Sequence, residues 1–248
     1  MIEQTWYARQ GSWLAEFWTL LHLPYTLMAI CFVIAGFTLN GHPVNWPVAA
    51  ALCVAYFLGL GITAHCLDQL PGMGTVYVKH ITPVQLVAIG AAALMVSILI
   101  GVWLIVAAGI RILLPLMVIQ TFFAFAYPMK KLFDGYFHTD GWFALGFGFI
   151  PFITGYAVAF TITGTPQTPV TAFFIPALGA MICYWISLIE ILLSRFVRQW
   201  RSNFSALQSN KVCIPFVGDV QTGIDRAESA LKILCLVIYA STLFLLLW

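Results

Sequence analysis

Four stretches of this chain carry residue types that could do chemistry. Ala64-His65-Cys66-Leu67-Asp68 sets an imidazole and a carboxylate at i and i+3, on one helix face, and Pro71-Gly72-Met73-Gly74-Thr75 follows as a turn. Such a pair could hold a divalent metal or exchange a proton; it could equally be a packed His beneath an Asp at the lipid headgroups. Tyr127-Pro128-Met129-Lys130-Lys131 ends in two lysines, which suit a phosphate clamp or a headgroup contact. Glu190, Ser194 and Arg198 recur every four residues, with Arg195 and Arg201 beside them. A carboxylate within an apolar run has a partner and often a function, and here a Glu–Arg pair is one reading. Finally, Gly141 to Tyr156 holds Ala144 and Gly148 at small-x-x-x-small spacing, with Gly141, Gly146 and Gly155 as further points of close helix approach. The aromatics between them pack a core or line an apolar tunnel. Glu16 and His22 are also polar in an apolar stretch, with no role legible in the sequence.

These residues need elements to hold them, and composition says which. Of 248 residues, 62% are hydrophobic and 8% charged, against roughly 25% charged in a soluble domain. Mean hydropathy is +0.96. Such a surface belongs in lipid, where backbone groups must pair within each span. The apolar runs are continuous rather than alternating, so the spans are helices and not barrel strands. The fold class is therefore all-α, a polytopic transmembrane helical bundle forming one integral membrane domain over 1–248. A span needs about 20 apolar residues. Seven runs qualify, over 13–39, 46–67, 83–107, 110–127, 141–162, 170–196 and 227–248.

Threading these spans sorts the charges. Of the eleven Lys and Arg residues, all but Arg111 fall on one side, with Lys232 snorkelling back from the last span. The positive-inside rule then puts the N-terminus in the cytoplasm and, with an odd span count, the C-terminus outside. Arg9 and the acids Glu3 and Glu16 precede or open a first run too long for a signal peptide, so it reads as a retained span. Trp13, Trp46, Trp142 and Trp200 lie near span ends, as an interfacial belt requires. No basic tail or basic–aromatic stripe is present, which argues against nucleic acid. Six Cys without a C-x-x-C pair read as apolar packing residues. No inverted repeat or pair of interrupted spans points to a transporter.

The order of the polar segments resembles the UbiA superfamily of intramembrane prenyltransferases. In that family an Asn-Asp-x-x-Asp motif follows helix two, Tyr-Pro-x-x-Lys-Arg follows helix four, helix five is Gly-rich, and a second Asp motif follows helix six. Asp68 matches the second acid of the first motif and His65 replaces the first. Tyr127, Pro128 and Lys131 match the second signature, with Leu132 in place of Arg. Thr75 to Thr82, with Lys79, looks like the basic segment between them. The likeness covers roughly Leu20 to Arg201. It implies a UbiA-like bundle moving an isoprenoid group from a prenyl diphosphate to a lipophilic acceptor. Asp68, with His65, would be catalytic, and Asp68 would hold Mg²⁺. Lys79, Tyr127, Lys130, Lys131, Arg195 and Arg198 would bind the diphosphate. This sequence departs from the family at Ala64, at Gly72 and over Ser194 to Arg201, where acids give way to neutral or basic residues, and it has fewer spans. The alternative is therefore a non-catalytic UbiA-like membrane subunit that binds a lipid, quinone or pigment within a larger complex.

Overall fold

The computed structural model describes residues 7–9, 11–40, 44–71, 78–130, 132–164, 168, 170–209 and 217–247. Gly72, Thr75, Lys131, Lys211 and Cys213 lie outside them. Every regular element among the described residues is a helix. Six helices are long and apolar enough to cross a membrane, and a shorter apolar one lies between the third and fourth. The protein is thus built as a multi-pass membrane bundle.

The expected first span is two helices, α1 (Trp13–Leu20) and α2 (Leu23–Thr38). Pro24 is the cause. It has no N–H to offer the carbonyl four residues back, and its ring crowds that carbonyl. His22 turns into the left-handed region, φ 43°, ψ 46°, and its Nδ1 donates to the Leu20 carbonyl at 3.1 Å. The imidazole thus supplies the donor that Pro24 lacks. Thr26 Oγ1 likewise donates to the Leu21 carbonyl at 2.7 Å.

Local sequence sets the other ends. α3 (Trp46–Asp68) starts at Asn45, whose Oδ1 accepts from Val48 N, and loosens to a π-helix over Phe57–Ala64. α4 (Pro83–Ala107) begins with a capping box, Thr82 and Gln85 each accepting from the other's backbone N–H. α5 (Leu113–Ala126) is only 14 residues, since Ile110 to Ile112 form a turn. At about 1.5 Å per residue it is near 21 Å long, shorter than the hydrocarbon layer. After Pro128 the chain passes through Phe133, Asp134 and Gly135, all with positive φ (57°, 51° and 78°). That left-handed turn brings His138 back over Tyr127, the rings stacking at 4.8 Å. α6 (Asp140–Thr163) is capped by Thr139 and ends at Gly164. α7 (Ile175–Ser209) and α8 (Val217–Leu247) run past the expected span ends towards each other. No Pro or Gly interrupts Arg195 to Ser209, so the helix continues after its apolar part stops.

Packing centres on α2 and α6. A Cβ built on Gly36 would lie 2.1 Å from the Phe152 carbonyl oxygen, and one on Gly155 would lie 2.0 Å from that of Val33. The two backbones therefore touch, which only small residues permit. Gly148 makes a similar approach to Cys183 of α7. Met95, Leu99 and Val106 on α4, and Leu178, Trp185 and Ile189 on α7, are exposed and face outward, as a lipid-facing surface would.

Candidate functional site at the polar end of the bundle

The ends of α3 and α5, the start of α6, the α1–α2 break and the Ser194 to Arg198 stretch of α7 gather at one end of the bundle. Asp68 lies within electrostatic reach of Lys130, in the turn after α5, and of Arg198 from α7. Its Oδ2 is also approached by Gln69 Nε2 at 3.5 Å. The Arg198 charge acts in addition on His22 and on Tyr25, and the Tyr25 hydroxyl lies beside Ser194. Arg195 Nε is 2.9 Å from Asp140 Oδ1, and the same guanidinium lies beside the Tyr127 hydroxyl. Burial pushes the Tyr127 phenol up to about 12, so it remains a donor. Burial also holds His138 below its ordinary value, with Lys130 and Arg195 adding to the effect against its bond to the Tyr127 carbonyl. That bond, 2.8 Å from Nδ1, fixes the proton on Nδ1.

The structure thus joins Asp68, Tyr127, Lys130, Arg195 and Arg198 of the expected site. It treats two others differently. His65 is buried, its Nδ1 donating to the Gly61 carbonyl at 3.0 Å and its ring stacked on His22 with centroids 4.2 Å apart. Its ring is committed to packing within the bundle. Lys79 is held by its backbone, whose N–H donates to Glu16 Oε2 at 2.8 Å, while its side chain is exposed. It is not among the charges acting on Asp68. Lys131 falls outside the described residues. The Glu190–Arg198 pairing does not form either. Eight residues span two turns, about 12 Å. Glu190 instead accepts from Cys235 Sγ at 3.4 Å, deep between α7 and α8.

Four contributors escaped the sequence reading. His22 and Tyr25 flank Pro24, and the proline was the available signal. Asp140 follows the Thr139 cap, and His138 precedes it; neither spacing marks a site.

The donor set does not suit a protein-held Mg²⁺. That ion takes oxygen ligands, commonly one or two carboxylates plus phosphate. Asp140 is engaged by Arg195, which leaves Asp68, among the described residues, as the carboxylate on which Lys130 and Arg198 act. Among the described residues no three His, Cys, Asp or Glu side chains are grouped to hold a metal.

An aromatic wall backs this end. Tyr25 meets Phe143 edge-on at 5.7 Å, Phe143 stacks on Phe147 at 4.4 Å, and both contact Tyr127. Farther along α3, Tyr56, Gly59 and Leu60 border an apolar cleft whose other walls are α4 and α5. No family model, no curated protein and no solved structure matches this chain.

Proposed function

We propose that this protein is a UbiA-like intramembrane prenyltransferase, moving an isoprenoid group from a prenyl diphosphate to a lipophilic acceptor. The observation that carries the reading is that Asp68 at the end of α3, Lys130 in the turn after α5 and Arg198 of α7 act on one another at one end of an apolar bundle. Lys130 and Arg198 would hold the diphosphate, and Tyr127 would donate to it. The cleft beside α3 suits an isoprenoid chain. Leu60 in its wall is eight residues from Asp68, about 12 Å along the helix. In transfer, the allylic carbon–oxygen bond breaks and its electron pair leaves on the diphosphate. The acceptor's electron pair forms the new bond to that carbon, and the acceptor's proton passes to the departing diphosphate. Cations fixed before reaction stabilise the leaving charge, and a dry aromatic surround shields the allylic cation.

The assay is transfer of a labelled prenyl group in membranes over a panel of lipophilic phenols and alcohols. Wild type should transfer, and Arg198→Gln should lose at least about tenfold in kcat/KM, as for loss of one charge-stabilising donor. Silence of the wild type across the panel would favour the second reading, a non-catalytic subunit binding a lipid, quinone or pigment. The scarcity of carboxylates is what supports that alternative.

The polar end is cytoplasmic in this reading, because threading the expected spans puts all Lys and Arg but Arg111 on its side. A cysteine placed at Lys79 should react with a membrane-impermeant reagent only from the cytoplasm, and one at Arg111 only from outside. Labelling of both from one side would refute the orientation.

A further inference from the structure

The arginines of α7 are not equivalent. Arg195 is paired with Asp140 at 2.9 Å, and Arg201 with Glu228, which also takes Lys232 at 2.8 Å. Arg198 lies between them in sequence and, among the described residues, has no carboxylate within 4.0 Å; nor has Lys130. Among the described residues the buried Nε of Arg198 also has no hydrogen-bond partner. An unsatisfied buried guanidinium donor is costly, and a planar fork is suited to phosphate oxygens. Both cations act on Asp68, which lies farther from each than an ion pair. Two cations against one carboxylate leave a net positive site with unfilled donors. Where the family resembled would place acids, this chain has His65 and, on α7, Arg195 and Arg198.

We infer that this end grips a diphosphate or phosphomonoester directly through Lys130 and Arg198, without a bridging metal ion, and that Asp68 is the counter-ion which the ligand displaces. The inference rests on the proposed function in taking a prenyl diphosphate as the source of that group. It reverses the sign expected for Asp68. As a metal ligand, Asp68 would be indispensable for binding. As a resident counter-ion, it competes with the incoming anion, so removing its charge tightens binding.

The experiment is calorimetric titration of inorganic pyrophosphate into the full chain in phosphatidylcholine nanodiscs, once with Mg²⁺ and once with chelator. The two affinities should agree within about twofold. Arg198→Gln and Lys130→Gln should each weaken binding about tenfold, the scale of one charge-assisted hydrogen bond. Asp68→Asn should tighten it about fivefold, through loss of like-charge repulsion. Arg201→Gln, one turn on, should change it less than about twofold, since its half-buried guanidinium is already paired with Glu228. Melting curves in the same discs verify folding, and Arg198→Lys, which keeps the charge, should recover part of the loss. Binding that requires Mg²⁺ and vanishes in Asp68→Asn would overturn the metal-free grip while leaving the diphosphate site standing. Competition from phosphatidic acid in the disc would overturn the diphosphate assignment in favour of a bilayer headgroup. Absence of pyrophosphate binding in both buffers would remove the inference together with the diphosphate head; the transfer assay then decides the enzyme reading separately.

Discussion

Replacing Gly155 by alanine should cost about 3 kcal/mol or more of stability and leave little folded protein in mild detergent. The new methyl would sit 2.0 Å from the Val33 carbonyl oxygen and 2.9 Å from its carbon, both backbone atoms. A side chain in the way could rotate aside. A helix backbone cannot, so α2 and α6 must separate along their whole contact. Overpacking commonly costs 1–3 kcal/mol, and the upper end applies where nothing flexible can yield. Gly36→Ala should behave alike, since its Cβ meets the Phe152 carbonyl oxygen at 2.1 Å. By contrast Gly223→Ala, with nothing within 4 Å, should be neutral or slightly stabilising. The measurement is thermal unfolding in one detergent. An unchanged melting temperature for Gly155→Ala would show that the crossing is looser than described.

The second large effect should come from Glu16→Ala. Glu16 is buried, and its carboxylate is the hub of the connection between α3 and α4. Oε2 accepts from the backbone N–H groups of Lys79, His80 and Ile81 at 2.8, 2.7 and 3.3 Å, and Oε1 meets His80 Nδ1 at 2.7 Å. Removing the acceptor strands these donors, two of them on the same turn that precedes the Thr82 cap. Each buried donor left unmet costs on the order of 1–3 kcal/mol, and solvent can reach part of this loop, so the total should be about 3 kcal/mol. The loop should also open locally. Trypsin cleavage after Lys79 should accelerate at least about tenfold, as expected when local opening becomes cheaper by more than one such bond. If neither the cleavage rate nor the melting temperature moves, the carboxylate is not the anchor.

Glu16 illustrates what the sequence could and could not determine. Its burial in an apolar stretch was plain, yet its partners lie more than sixty residues away and include three backbone N–H groups, which have no residue signature. The same division runs through the chain. The starts expected at 46, 83 and 141 from the apolar runs fall within a residue of those of α3, α4 and α6, and the structure shows a local cap at each: Asn45, Thr82 with Gln85, and Thr139. The long apolar helices were legible because lipid imposes their length and composition. The polar ends of the second, fourth and sixth expected spans were expected to share a side, since each span reverses the chain.

What the tertiary structure alone decided is rotation and partnership. Helical spacing placed Glu190, Ser194 and Arg198 on one face, but α8 and α2 chose for them: Glu190 meets Cys235, Ser194 meets Tyr25, and Arg198 is left without a close carboxylate. Which arginine of α7 finds an acid depends on where Asp140 and Glu228 lie on neighbouring helices. Periodicity along one helix carries no information on that. The break at His22 lies between the two cases. The expected span over 13–39 runs straight through the signal at Pro24, and only the folded bundle shows that the His22 ring fills the missing donor and then stacks on His65. Local sequence thus wrote the helices and their ends, because those depend on neighbours within a turn or two. Contacts between distant helices wrote the site, because a charge's partner is fixed by packing and not by spacing.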